Sequence, residues 1–108
     1  MKITKLLIML AIIIILPISL YAADGSKLNY KPREGYVPNR ETAIKIAVAI
    51  WGPIYGEKKI EKEKPYKAFL KDGIWYVSGS LPKNTVGGVA EAEISKEDGR
   101  ILRVGHGK

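Results

Sequence analysis

The hydrophobic pattern of this chain changes period once, at Pro65, and that change limits what the chain can build. Before it, Ala43, Ile46, Ala47, Ile50 and Trp51 recur at the spacing that gathers side chains on one side of a helix. Ile44 and Val48 widen the stripe until Lys45 is almost the only polar interruption, the pattern of a helix wrapped by other structure. Asn39 can cap it by accepting a first-turn amide, Glu41 complements the dipole, and Gly52-Pro53 should stop it, which predicts a helix over Arg40–Trp51 followed by a short turn at Ile54–Gly56. After Pro65 the period is two: Tyr66–Leu70 and Ile74–Leu81 read as strands joined by a tight turn at Asp72-Gly73. Val89–Ser95 and Arg100–Val104 read as a second pair across Lys96–Gly99. In the third strand Ala90, Ala92 and Ile94 should face the helix while Val89, Glu91 and Glu93 face away. The fold class expected is α+β, one N-terminal helix packed on a curled four-stranded antiparallel sheet.

The N-terminus has the layout of a signal peptide: Lys2 and Lys5, then an 11-residue apolar run from Leu6 to Leu16, then Pro17 to Ala23. The run is short of the ~20 residues that span a bilayer. Cleavage is expected after Ala22, which makes residues 1–22 a removable leader and the protein exported to the periplasm, with an uncleaved inner-membrane anchor as the alternative. Residues 23–37, with Gly25, Ser26, Pro32 and Gly35 among charges, read as an extended linker, and residues 38–108 as the folded domain. The chain has no cysteine, so packing must stabilise it without disulfides, and a zinc–thiolate site, a thiol nucleophile or a lipid-bearing cysteine is ruled out.

Losing Lys2 and Lys5 takes the net charge from +7 to about +5. In the densest stretch, Glu57 to Lys64, acids and bases alternate, which reads as a solvated segment rather than a phosphate-tracking stripe, so nucleic acid is not expected as a partner. The membrane is met only in passing, through the leader. Few residues suit catalysis. The single histidine, His106, lies between glycines near the end without companions at metal-ligand spacing. Glu91 and Glu93 share a strand face, but an acidic strip that meets a partner is the better reading than an acid/base pair. Ser78-Gly79-Ser80 and Gly87-Gly88 lack the contexts of a nucleophile elbow or a phosphate loop. Trp75 and Tyr76 must point to opposite faces, and the exposed one would be an interface anchor. No cofactor, metal or small-molecule substrate is implied, and no enzyme activity is expected.

An ordered run of motifs carries a resemblance: Pro38-Asn39-Arg40-Glu41-Thr42-Ala43, Ile50-Trp51-Gly52-Pro53-Ile54-Tyr55-Gly56, Gly79-Ser80-Leu81-Pro82, and Gly87 to Ser95 followed by Asp98-Gly99-Arg100-Ile101-Leu102. Together these stretches resemble the NTF2-fold immunity proteins of polymorphic-toxin and Rhs loci. The resemblance implies a reduced, cystatin-like version of the NTF2 roll, and a protein that neutralises a cognate toxin domain by binding it. The residues expected to meet that partner are Trp75, Glu91, Glu93 and His106. The last hairpin also resembles PepSY-type domains, which would imply an exported module that inhibits a peptidase or regulates an envelope protein.

Overall fold

In the computed structural model the structure describes residues 28–107; the expected leader and the start of the linker lie outside them. The chain divides into two compact units, Met1–Lys31 and Pro32–Lys108, and the second carries all the regular elements described below. Two helices come first, α1 (Arg40–Tyr55) and α2 (Glu57–Glu61), then four strands, β1 (Lys67–Lys71), β2 (Ile74–Ser78), β3 (Ala90–Ser95) and β4 (Ile101–His106). The strands form one antiparallel sheet in the order β1-β2-β3-β4, open at both edges. One long helix on a four-stranded antiparallel sheet is the α+β arrangement that the change of period predicts.

Asn39 caps α1 as expected, its side-chain oxygen accepting the Thr42 amide at 2.9 Å. Gly52-Pro53 does not end the helix. Pro53 forfeits one backbone bond, but its fixed φ suits a helix, and the chain makes one further turn before the Gly56 amide closes onto the Gly52 carbonyl at 2.8 Å. Gly56 then adopts φ +105°, and α2 begins at once inside the stretch expected to be solvated, burying Ile60. At Asp72-Gly73 both residues have positive φ, 50° and 76°, which is the twist that a two-residue hairpin needs. That turn sets the register Lys71 opposite Ile74, Leu70 opposite Trp75 and Phe69 opposite Tyr76.

The core lies between α1 and one face of the sheet. Ala43, Ala47 and Trp51 meet Trp75, Val77, Ala90, Ala92 and Ile94 there, with Ala90, Ala92 and Ile94 on the predicted side. Alanines on both surfaces bring helix and sheet close, and the two indoles fill the ends. Each buried indole needs a partner for its N–H: Trp51 donates to the Glu91 carbonyl at 3.1 Å and Trp75 to the Val37 carbonyl at 2.8 Å. The second bond ties down the end of the stretch expected to be a tether. Val37 is buried, the Tyr36 and Val37 amides donate to Glu97 and Lys96, and a side chain on Gly35 would strike the Lys96 carbonyl. Between β3 and β4 the register slips, with Glu93 opposite Arg103 but Ile94 opposite Ile101; Leu102 is the extra residue of the bulge.

Trp75→Phe should therefore lower the unfolding free energy by about 1–3 kcal/mol, because it strands the buried Val37 carbonyl. Tyr76→Phe should change it by less than about 0.5 kcal/mol. Equilibrium urea unfolding of the two variants measures the contrast.

Candidate functional site

Alternation along the strands leaves the second face of the sheet without a helix. Its central row is set by register: Phe69, Tyr76, Glu93 and Arg103 lie side by side across all four strands. Phe69 is 60% exposed, and its ring stacks on Tyr76 with centroids 5.0 Å apart and planes 11° from parallel. Arg103 reaches from β4 to both acids of β3, bonding Glu93 through Nε and Glu91 through Nη2, the latter at 3.4 Å. The hydrogen bond from Glu93, above all, raises the Arg103 guanidinium above its usual range and holds it charged. Glu91 and Glu93 do share a face, as expected, but a cation lies between them. The result is an aromatic pair beside a cluster of two carboxylates and one guanidinium, over a shallow hollow of about 180 Å³.

The second arrangement is at one end of the sheet, around His106, the histidine that the sequence sets between glycines near its end. His106 is the last residue of β4, opposite Ala90, and its side chain is 14% exposed. It packs on the Tyr55 ring at 5.2 Å between centroids. Its Nε2 lies 2.8 Å from Glu63 Oε2, and its Nδ1 lies 2.7 Å from the Gly107 carbonyl. A carbonyl can only accept, so the ring nitrogen facing Gly107 is placed as a donor, and Nε2 is placed against the Glu63 carboxylate. The other oxygen of Glu63 accepts the Ala90 amide at 2.7 Å. With both ring nitrogens engaged, the imidazole turns no free lone pair toward a substrate.

Room for this carboxylate is made by small residues: a Cβ on Gly79 would strike Glu63, and one on Gly88 would overlap the Gly107 backbone. The turn after α2 is held alongside, with the Ser80 amide donating to the Glu63 carbonyl at 2.6 Å and the Tyr66 hydroxyl to the Ile60 carbonyl at 2.8 Å. Burial is the main cause that raises the Tyr66 phenol, partly offset by Lys64, whose own ammonium is raised by its bond to Glu61. A hollow of about 400 Å³ opens beside the pair, lined by Lys59, Lys62, Leu81, Pro82, Thr85, Val86, Gly87, Gly88 and Gly107. Among the described residues no cluster of His, Asp and Glu could hold a metal ion.

The residues expected to meet a partner are thus split among three places. Glu91 and Glu93 lie on the open face and His106 at the sheet end, whereas Trp75 points into the core and is only 8% exposed. Strand alternation put one of Trp75 and Tyr76 outside; the side that packs on α1 decides for Tyr76. Three residues were missed: Arg103, whose place opposite Glu93 depends on the bulge at Leu102, and two that had a local signal. Phe69 could have been found from the Asp72-Gly73 turn, which sets it opposite Tyr76. Glu63 could have been found from Ile60, the sole apolar residue of the charged stretch, since a residue three further on shares its side of a helical turn.

A family model described as NTF2 fold immunity protein matches residues 42–108. Two proteins of Escherichia coli K12 are similar over 73 residues: YhhH at 40% identity and YbbC at 37%, both described only as uncharacterized. The match takes in 67% of this chain but 58% of YhhH and 60% of YbbC, so the chain spans about three fifths of the length of these curated relatives. No solved structure matches the chain.

Removing the Glu63 carboxylate should be far costlier than its place in a lysine-rich stretch suggests. Glu63→Ala leaves the Ala90 amide and the His106 ring without their acceptor and should cost ~3 kcal/mol. Glu63→Gln keeps an acceptor for Ala90 and should cost clearly less; thermal and urea unfolding of both variants read the difference.

Proposed function

The chain belongs to the NTF2-fold immunity protein family, and we propose that it protects a bacterium by binding and neutralising a cognate polymorphic toxin, of the Rhs type, in the cell envelope. The observation that carries this reading is the family match over residues 42–108, which takes in every strand and nearly all of α1. Of the two resemblances in the sequence it favours immunity over the PepSY-like module. The signal-like leader, with Lys2 and Lys5 before the run Leu6 to Leu16, supports action in the envelope.

Neutralisation by binding needs an accessible surface held rigid by the fold, and the open sheet face has that form. Phe69 and Tyr76 offer a flat aromatic anchor, and Glu91, Glu93 and Arg103 form a polar border that selects for charge. Tyr76, not Trp75, is the aromatic that would carry affinity, since Trp75 is spent in the core.

Co-expression of the chain, with and without its leader, with the toxin domain encoded beside it tests the reading. Survival with co-purification of the pair is expected, and the form that protects identifies the compartment; survival no better than with toxin alone contradicts it. Phe69→Ala with Tyr76→Ala should weaken the purified complex by ~2 kcal/mol or more, about thirtyfold in Kd, while the free protein stays folded.

A further inference from the structure

The hollow at the end of the sheet is lined by two lysines, whereas the charged cluster on the open face has two acids to one arginine. Lys59 and Lys62 form one wall, the loop from Leu81 to Gly88 the other, and the Glu63–His106 pair the floor. Both oxygens of the Glu63 carboxylate are already engaged, one by His106 and one by the Ala90 amide, so the floor offers at most one negative charge against two lysines. The two lysines then set the sign of the hollow, and neither takes part in an ion pair among the described residues. Glu57 and Glu61, the two acids of α2, do not line it, and Glu61 is bonded to Lys64.

The opposite wall is apolar and uncovered. Val86 stands clear of the protein at 102% exposure, and Leu81 is 44% exposed. A small inorganic anion would satisfy the lysines and leave these two side chains in water. An acidic side chain with an apolar neighbour, presented by a protein, would satisfy both walls at once. We propose that this hollow receives a carboxylate side chain of the protein partner, with the residue next to it covering Leu81 and Val86. The identity of that partner as the toxin rests on the immunity reading; the chemistry of the hollow does not.

The test is a titration of the 15N-labelled protein, methyl-labelled at Leu and Val, with the blocked peptide acetyl-Ala-Glu-Leu-Ala-amide, its Gln counterpart, and inorganic phosphate. The Glu peptide should give saturable shifts at the Gly87, Gly88 and Gly107 amides and at the Leu81 and Val86 methyls. The Gln peptide should not, phosphate should leave the methyls unmoved, and Lys59→Glu with Lys62→Glu should weaken the Glu peptide roughly tenfold. Absence of saturable shifts, equal shifts from the Glu and Gln peptides, or the full set reproduced by phosphate would overturn the proposal. No toxin enters this titration, so a negative result here leaves the co-expression outcome standing, and a failed rescue there leaves this one to be judged on its own.

Discussion

The Glu63 carboxylate is the point on which the end of the sheet depends. It enters the core from the turn after α2, at 5% side-chain exposure, where an unpaired negative charge would be prohibitive. One oxygen takes the amide of Ala90, the first residue of β3, and the other meets His106, the last residue of β4. Three segments distant in sequence are thereby fixed to one group. Gly79 follows from it, because a side chain there would strike the carboxylate, and a side chain on Gly88 would strike the Gly107 backbone and keep β4 from closing against the start of β3. The Gly107 amide, bonded to the Val89 carbonyl at 3.1 Å, completes that closure.

With that end held, the sheet can divide its two faces between stability and recognition. The inner face is alanine-rich and lets α1 lie close, and both tryptophans satisfy their N–H groups on backbone carbonyls rather than on side chains that a partner could disturb. The outer face carries its aromatic and charged residues without being needed for the core. Such a division suits an immunity protein: a partner-facing surface can change from one toxin to the next while the fold beneath it is preserved.

Much of this fold was legible in the residues because local chemistry and global packing agree there. The switch of period at Pro65, the Asn39 cap, the Asp72-Gly73 turn and the inward set Ala90, Ala92, Ile94 each have a local cause. The failures have tertiary causes. Helix α1 outlasts Gly52-Pro53 because Gly52 is buried and its carbonyl is taken up by the Gly56 amide. Residues 36 and 37 are held against the domain because Trp75 needs an acceptor and the β3–β4 turn offers a docking edge, neither of which is a local signal. The site was half legible: Glu91 and Glu93 follow from alternation, but their coupling to Arg103 needs the bulge at Leu102 to set β4 in register, and the Glu63–His106 contact joins residues 43 apart with no pattern between them.

Under the proposed function, the outer sheet face is the surface that covers a cognate toxin. Hydroxyl-radical footprinting of the free protein and of its complex with a toxin domain that it protects against in co-expression tests this most directly, since oxidation reports side-chain exposure one residue at a time. Protection of Phe69 and Tyr76 in the complex, with Trp75 equally unreactive in both states, is the result predicted. Phe69 and Tyr76 oxidised at the same rate in a complex that nonetheless forms would contradict it.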